Sequence, residues 1–322
     1  MPLRVLVTGA SGFVGGHIAL GLAENSFHVI ASGGLHECPL EVRCAAELTL
    51  SFNLQSQESI LKLIEEARPD AIVHAAALAN PSACEKNPEE ARLVNVEGMK
   101  NLLAVFKSLP SKPLFIYIST DLVFDGGCAP EGGFREEDEA IPISVYGKSK
   151  LESERILLNE YEKAFVARIC LVYGNELGGR QGFLTWTLGA LNESKPLTLF
   201  VDEFRTPVYE DDVNRSIIEI LSRYERNETS LSLLLNSSKQ HSRLFHVPGS
   251  ERISRYDFAK KLIKITGHPE KLLIPRSLKD VSLANPRSPD VSLCGEKIRH
   301  ILGIRTLDVN EGLKKLTPLL KA

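Results

Sequence analysis

Three glycines spaced three residues apart, Gly9, Gly12 and Gly15, constrain the fold of this chain more than any other feature. They follow the apolar, β-type run at residues 5–7 and precede a helical apolar pattern that begins at Ile18. A strand, a glycine turn and a helix in this order are typical of a dinucleotide-binding unit, although the spacing is G-x-x-G-x-x-G rather than G-x-G-x-x-G. Gly9 would permit the tight turn, Gly12 the approach of a pyrophosphate, and Gly15 close packing of the helix on the strand.

Apolar runs alternate with helical patterns over the first half of the chain. Ser56 is placed to cap a helix over Gln57–Ala67, residues 87–89 open a helix that extends to about Ser108, and Ser144 precedes another helix. This alternation predicts an α/β fold with a doubly wound, Rossmann-like parallel sheet, whose ligand binds at the carboxyl ends of the strands. The predicted strands cover residues 3–8, 27–31, 71–76, 114–119 and 165–171.

The pattern becomes less regular after about Tyr173. A glycine-rich loop covers residues 174–182, and a polar connection at residues 223–243 is expected to be irregular and exposed. We therefore predict a dinucleotide-binding domain over residues 1–173 and, over 174–322, a smaller substrate-binding lobe that is partly interleaved with the main sheet. The lobe is predicted to contain helices at 183–191, from 211, and at 254–266, a strand at 197–201, and a strand and turn at 245–249.

Tyr146 and Lys150 lie four residues apart on the helix that follows Ser144, so both side chains can point into one site. A phenol beside an ammonium ionises more easily than usual, and such a tyrosine can exchange a proton with a carbonyl oxygen near neutral pH. The polar run at residues 119–121 ends a predicted strand, as do Gly9 and the alanines at 75–77. These segments are expected to meet the helix in one crevice.

Composition excludes several classes of function. The 322 residues are 43% hydrophobic and carry a net charge of −3, which argues against nucleic acid as the main partner. The chain starts directly with a strand pattern, and the sequence has no apolar run of membrane-spanning length, so we expect a cytoplasmic protein without a membrane partner. The six cysteines are scattered and are read as reduced thiols. No metal-ligand spacing occurs, and the acidic run at 136–139 is predicted to be a solvated loop.

These motifs resemble the extended short-chain dehydrogenases/reductases. The resemblance rests on the glycine motif, the strand end His-Ala-Ala-Ala at 74–77, Asn95 in the run VNVEG, Thr120, and the Tyr146/Lys150 pair. Within this superfamily, the runs STDLVFDG at 119–126 and FREEDEAIPISVYGKSKLESE at 134–154 are most similar to the dTDP-4-dehydrorhamnose reductases. The segment at 284–293 also resembles the C-terminal arginine-proline segment of that branch.

The resemblance implies an NAD(P)-dependent oxidoreductase. In that reading, Tyr146 is the proton donor to the substrate carbonyl, Thr120 hydrogen-bonds the carbonyl oxygen, and Lys150 holds the nicotinamide ribose and lowers the tyrosine pKa. Asn95 could equally be a buried structural amide. The residues implied to bind the cofactor are Gly9, Ser11, Gly12, Phe13, Val14, Gly15, Ser32, Asn53, Leu54, Ala75, Ala76, Ala77, Asn95, Tyr146 and Lys150.

The resemblance also implies a nucleotide-linked 4-keto sugar as substrate and is compatible with a homodimer. Asp121, Arg205 and Arg287 are the implied substrate contacts, although Asp121 could instead cap a turn and each arginine could belong to a surface ion pair. The branch often has a tyrosine where this chain has Leu122. The end of the second strand at 31–34 lacks the acidic residue that favours NAD, and Ser32 could contact a 2′-phosphate, so NADP(H) is slightly favoured over NAD(H).

Two other functions fit the same motifs. Nucleotide-sugar epimerases keep the Tyr146/Lys150 pair, whereas the dehydratases of this superfamily commonly have Asp-Glu where this chain has Asp121-Leu122. A non-catalytic NADP-binding subunit, similar to the regulatory β-subunit of methionine adenosyltransferase, is the third reading. Phe183 and Trp186 lie three residues apart on a predicted helix and are interpreted as core residues rather than as a platform for a sugar.

Overall fold

Thirteen strands are present in the computed structural model, which describes residues 2–127, 129–179, 182–281 and 286–320. They are β1 Arg4–Thr8, β2 His28–Ser32, β3 Leu48–Leu50, β4 Ala71–His74, β5 Leu114–Thr120, β6 Ala164–Ile169, β7 Val172–Tyr173, β8 Leu197–Phe200, β9 Phe204–Arg205, β10 Val208–Tyr209, β11 Leu244–Val247, β12 Ile253–Ser254 and β13 Leu273–Arg276.

The α-helices of the same described ranges connect these strands. They are α1 Phe13–Glu24, α2 Leu40–Ala45, α3 Gln57–Ala67, α4 Pro81–Lys86, α5 Pro88–Ala91, α6 Gly98–Ser108, α7 Val145–Glu160, α8 Phe183–Asn192, α9 Glu210–Glu225, α10 Thr229–Leu235, α11 Arg255–Thr266, α12 Glu296–Leu302 and α13 Val309–Leu320. Among the described helices, none is long and apolar enough to span a bilayer.

The main sheet has seven parallel strands in the order β11-β6-β5-β4-β1-β2-β3, which confirms the predicted doubly wound fold. The five strands predicted in the first half agree with β1, β2, β4, β5 and β6 to within two residues at either end. β5 lies inside the sheet, between β6 and β4, and all seven of its residues are buried. Strands that are covered on both faces need such continuous apolar runs.

Two hydrophobic cores cover the two faces of this sheet. Side chains alternate along a strand, so Val5 and Val7 of β1 pack in one core with α1 and α9, whereas Leu6 packs in the other with α3 and α6. Ser56 caps α3 as predicted, because its hydroxyl accepts a hydrogen bond from Ser59 N at 3.2 Å. This arrangement leaves the carboxyl ends of the strands free to form a site.

The helix predicted from residue 87 to Ser108 is helical throughout, but it contains a π-helical segment, Arg92–Glu97, between α5 and α6. A π turn inserts an extra residue into a helix and is often found at functional sites. The segment carries Asn95 into the interior, beside α7. Sequence periodicity did not predict this local change of register.

The second half of the chain is built from shorter pieces. β7 pairs with β10, β8 with β13, and β9 with β12, while β11 returns to the main sheet beside β6. The predicted boundary near Tyr173 stays a prediction. The expectation of an irregular connection at 223–243 is wrong, because α9 continues to Glu225 and α10 buries Leu231.

The prediction of a solvated loop at 136–139 is wrong for Glu136. Glu136 is buried, and its carboxylate accepts a hydrogen bond from His246 N at 2.8 Å. Residues 284–285 of the C-terminal segment lie outside the described residues, as does Cys128. The five described cysteines, Cys38, Cys44, Cys84, Cys170 and Cys294, are free thiols.

Candidate active site

A cavity of about 1020 Å³ opens at the carboxyl ends of β1, β4 and β5. Most predicted site residues line it, and the lobe closes one side with a set of charged side chains. Of the predicted residues, the wall contains Gly9, Ser11, Gly12, Phe13, Val14, Gly15, Asn53, Leu54, Ala75, Ala76, Ala77, Thr120, Asp121, Tyr146, Lys150, Arg205 and Arg287.

The glycine turn has the shape that a pyrophosphate site requires. Gly9 has φ +75°, and a Cβ added there would lie 2.5 Å from Ala76 N. At Gly15 it would lie 2.3 Å from Gly9 O, whereas at Gly12, on the cavity wall, it would meet only Gly9 O at 3.2 Å. α1 then begins at Phe13 with neither a side-chain cap nor an acidic residue in its first turn. Its N–H groups and positive dipole end therefore suit the phosphates of a dinucleotide.

Two predicted cofactor contacts do not reach the cavity wall. Ser32 is fully buried, and its hydroxyl accepts a hydrogen bond from Gly34 N at 3.4 Å. Asn95 accepts from Leu78 N at 2.8 Å and donates to Ser149 Oγ at 2.9 Å, which ties the loop after β4 to α7. These bonds are typical of a buried structural amide, which the sequence analysis had kept as an alternative for Asn95. The exposed His36 lines the wall instead of Ser32, and the sequence analysis did not select it.

Thr120, Tyr146 and Lys150 meet in the cavity as the sequence predicted. Thr120 ends β5 and Tyr146 lies in the first turn of α7, and both side chains line the same cavity, where the Thr120 hydroxyl donates to Asp121 Oδ1 at 3.0 Å. Ser144 caps this helix, because its Oγ accepts from Gly147 N at 3.0 Å. Lys150 Nζ donates to Ile118 O at 2.7 Å. The site therefore presents two hydroxyl groups beside an amine.

Burial sets the protonation of this group. It raises the pKa of Tyr146, and the Asp121 carboxylate raises it further, so the predicted lowering of the tyrosine pKa is wrong for this structure. Burial also lowers the pKa of Lys150 to about 7, against the opposing effect of Glu154. Near neutral pH Tyr146 is protonated, and Lys150 is divided between its charged and neutral forms. A protonated tyrosine is the form that donates a proton.

Three arginines of the lobe converge on one buried carboxylate. Glu203 contacts Arg205 at 3.3 Å, Arg255 at 3.0 Å and Arg287 at 3.1 Å. Arg205 is itself buried, with its Nε 3.6 Å from Asp121 Oδ2. The side chains of Arg255 and Arg287 are 24% and 43% exposed, so these two are better placed for an incoming anion than Arg205. No local sequence pattern had indicated Glu203 or Arg255.

A second cavity, of about 510 Å³, shares Arg255 and Arg287 with the first. Its other walls include Phe183, Trp186 and Phe200. Phe183 is buried, as predicted for a core residue, but Trp186 is 48% exposed. An aromatic surface therefore continues directly from the arginines. Within the described residues, no group of three or more His, Cys, Asp or Glu side chains could hold a metal ion.

The parallel sheet, the glycine turn and the Tyr146/Lys150 helix define an NAD(P)-dependent oxidoreductase of the extended short-chain dehydrogenase/reductase type. The family model described as the RmlD substrate binding domain matches residues 3–321, and the chain belongs to that family. It is 28% identical to methionine adenosyltransferase 2 subunit beta from Xenopus laevis, over 94% of this chain and 84% of that protein. It is 25% identical to a dTDP-4-dehydrorhamnose reductase from Aggregatibacter actinomycetemcomitans, over 97% and 98% of the two chains.

Solved structures share the fold over nearly the whole chain. A dTDP-4-dehydrorhamnose reductase from Bacillus anthracis in complex with NADP superposes with a TM-score of 0.77, at 21% identity and 98% coverage of both chains. WbmH from Bordetella bronchiseptica in complex with NAD+ superposes with a TM-score of 0.75, at 19% identity and with 97% and 96% coverage.

Proposed function

We propose that this protein reduces the keto group of a nucleotide-linked 4-keto sugar, in the manner of a dTDP-4-dehydrorhamnose reductase. The observation that carries the proposal is the position of the Thr120–Tyr146 pair, in one cavity between the glycine turn and the arginines on Glu203. Family membership and the similarity to a curated dTDP-4-dehydrorhamnose reductase support it. A substrate carbonyl placed between the glycine turn and these arginines would face both a cofactor and the hydroxyl groups of Thr120 and Tyr146.

The glycine turn and the N-terminus of α1 fit the pyrophosphate of a nicotinamide dinucleotide, which supplies a hydride when it is bound in reduced form. Residues 52–55 and 33–36 would surround the adenosine. NADP(H) is favoured over NAD(H) because the end of β2 carries no carboxylate. Glu37, the acidic residue that follows, is exposed and lies 3.8 Å from Arg43. His36 replaces Ser32 as the candidate contact to a 2′-phosphate.

The protein's own residues would stabilise the alkoxide that forms on the substrate. Thr120 and Tyr146 hydrogen-bond the carbonyl oxygen, and Tyr146 then transfers its phenolic proton to that oxygen. Lys150, when charged, stabilises the tyrosinate that remains. Asp121 is buried, and its Oδ2 has no hydrogen-bond partner, so it can accept a bond from a sugar hydroxyl. Because Leu122 offers no hydroxyl, Asp121 is the polar contact at this point of the wall.

The lobe would bind the nucleoside diphosphate. Arg255 and Arg287 face the main cavity and the second cavity together, so a diphosphate between them could place its sugar beside Tyr146 and its base beside Trp186. Glu203 holds both guanidinium groups before the substrate arrives. Arg205 instead donates to Ser288 O at 3.0 Å and contacts Asp121, so its role is to position the carboxylate rather than to bind phosphate.

Oxidation of NADPH and of NADH by dTDP-4-keto-6-deoxy-L-lyxo-hexose, followed by absorbance with the purified protein, tests this function. We expect stoichiometric oxidation, with a higher kcat/KM for NADPH. Analysis of the sugar product distinguishes a reductase from an epimerase, since an epimerase changes the sugar without net oxidation of the cofactor. Failure of the wild-type protein to oxidise either cofactor, with cofactor binding intact, would contradict the proposal.

A regulatory subunit is the second candidate, and the similarity to methionine adenosyltransferase 2 subunit beta over 94% of this chain favours it. The test is to mix the protein with a methionine adenosyltransferase catalytic subunit and to measure complex formation and S-adenosylmethionine synthesis. A regulator would form a stable complex and alter that synthesis, and Tyr146→Phe would leave both effects unchanged. If the protein reduces the keto sugar and forms no complex, this second candidate is wrong.

A further inference from the structure

A buried polar network lies beneath the active site and is not used by the chemistry described above. Glu154 of α7 and Arg168 of β6 form a two-point ion pair, with Arg168 Nε 3.0 Å from Oε1 and Nη2 2.7 Å from Oε2. Their side chains are only 2% and 4% exposed. Glu154 lies one helical turn after Lys150 and two turns after Tyr146.

The same carboxylate also contacts the strand that carries Thr120. Ser119 Oγ donates to Glu154 Oε1 at 2.5 Å, and Ser119 directly precedes Thr120 at the end of β5. Glu154 therefore connects the helix that holds Tyr146 and Lys150 with the strand end that holds the other hydroxyl of the site. Among the described side chains of α7, Glu154 is the one that forms hydrogen bonds to residues of both β5 and β6.

The network continues away from the site and holds Arg168, the other member of the ion pair, in place. Arg168 Nη1 lies 3.4 Å from His246 Nε2 on β11, and His246 Nδ1 lies 3.0 Å from Phe134 O. Glu136 accepts from His246 N, so the loop before α7 is tied to the same group. The hydrogen-bonded network thus connects α7, the strands β5, β6 and β11, and the loop before α7. Such continuity gives Arg168 little freedom to move.

Stability alone is a weak explanation for this arrangement. Two buried charges lose much of their hydration, and a well-packed apolar pair is often as stable as a buried ion pair. Placement is a better explanation, because a small displacement between reacting groups reduces turnover strongly. We propose that Glu154, held by Arg168, is a positioning residue that fixes Thr120 relative to Tyr146 and Lys150. The proposal rests on the reductase function proposed above.

The charge on Lys150 provides a second readout of the same network. Facing its ammonium are the Tyr117 ring of β5 at 3.9 Å, the Glu154 carboxylate on its own helix, and the buried His74 of β4, whose pKa is lowered by burial and by the charge of Lys150. Among these groups Glu154 raises the pKa of Lys150. Removing its charge alone would leave Arg168 uncompensated and would lower that pKa further.

The test compares Glu154→Gln, the double variant Glu154→Met/Arg168→Met, and a control, Glu152→Gln, at an exposed position of the same helix. Measurements are kcat and KM between pH 6 and pH 9, and the thermal midpoint. We expect Glu154→Gln to reduce kcat at least about tenfold, with less change in KM. The alkaline limb of the kcat profile, where Lys150 loses its proton, should move to lower pH by about one unit. The double variant should regain thermal stability and the position of the limb but not kcat, and the control should match wild type.

Wild-type kcat in a folded double variant would overturn the proposal, because the pair would then be structural only. An unshifted alkaline limb in Glu154→Gln would overturn its link to Lys150. The pH dependence of NADPH affinity, followed by nucleotide fluorescence, separates this outcome from failure of the reductase function. If wild type binds NADPH but reduces no keto sugar, the proposed function is wrong and the positioning of Thr120 falls with it. In that case an acid shift of the NADPH affinity profile in Glu154→Gln but not in Glu152→Gln would still support the electrostatic link from Glu154 to Lys150, and identical profiles would contradict that link.

Discussion

The two halves of the molecule contribute different kinds of chemical group to the site. The main sheet contributes backbone groups and hydroxyls at the ends of long, fully buried strands such as β5. The lobe contributes charge, from arginines that meet on Glu203 beside strands of only two to four residues. In the sheet half the position of a side chain follows from its strand. In the lobe it follows from contacts between distant segments, such as Glu203 with Arg287.

This contrast suggests a division of labour. The sheet half would determine turnover and cofactor binding, whereas the lobe would determine affinity for the substrate. Variants in each half should therefore change different kinetic constants, and a variant that changes both would show that the halves are coupled. Asp121 and Arg205, 3.6 Å apart, form the direct contact between the two sets of residues.

Loss of the phenol should have the largest effect. Tyr146→Phe keeps the ring but removes the proton donor, so we expect kcat to fall by about 10²–10⁴-fold. KM and the NADPH dissociation constant should remain within about threefold of wild type, because the hydroxyl group contributes to the transition state rather than to ground-state binding. Steady-state kinetics and fluorescence titration measure these constants. Turnover close to that of wild type would show that another group donates the proton.

Loss of a lobe arginine should have the complementary effect. Arg255→Ala and Arg287→Ala should each raise KM for the sugar nucleotide by about 10- to 100-fold, which corresponds to a charge-assisted hydrogen bond of roughly 1.5–3 kcal/mol. The kcat should change much less. Arg252→Ala, at a neighbouring arginine that pairs with Asp290 instead, is the matched control. A fall in kcat with constant KM would contradict the division between the halves.

The buried lysine makes a prediction about stability. Burial lowers the pKa of Lys150 from 10.5 to about 7, so between these values the unfolded chain binds the proton more tightly than the folded one. Folded stability therefore rises with pH in this window, by about 1.4 kcal/mol per pH unit from this group. Denaturant unfolding should show Lys150→Met to be more stable than wild type near pH 7. That difference should shrink as the pH approaches 9, and a constant difference would refute the lowered pKa.

The smallest effect is expected at the adenosine end of the cavity. His36→Ala should reduce the preference for NADPH over NADH by a few fold, since an exposed side chain that contacts one phosphate contributes little. The ratio of kcat/KM values for the two cofactors measures it. Ser32→Ala should leave the ratio unchanged, because Ser32 is fully buried behind the wall. A reduced preference in Ser32→Ala and an unchanged one in His36→Ala would instead support the 2′-phosphate contact first predicted for Ser32.

Much of the fold could be predicted because its signals are local. The strands, the cap at Ser56 and the glycine turn each depend on residues that are close in sequence. The meeting of Thr120 with Tyr146 was predictable because parallel strand ends converge at one edge. In contrast, Arg255 reaches Glu203 across 52 residues, and no local pattern records such a pairing.

The misplaced residues have equally physical reasons. Ser32 ends β2, whose last four residues are all buried because both faces of the sheet are covered. Asn95 is carried into the interior by a π turn that ordinary helical periodicity does not predict. Glu136 is in an acidic run typical of solvated loops, but a backbone N–H of β11 provides a buried partner. In each case the tertiary environment determined the position of a polar side chain.

The shared carboxylate of Glu203 has a consequence for how the enzyme responds to its solvent. Even with Asp121 beside Arg205, two carboxylates cannot neutralise the three guanidinium groups, so this wall of the cavity attracts small anions. Phosphate and sulfate in a buffer should therefore compete with the sugar nucleotide, and added salt should slow its association. The measured KM of this protein will depend on ionic composition, whereas the kcat at saturating substrate will not.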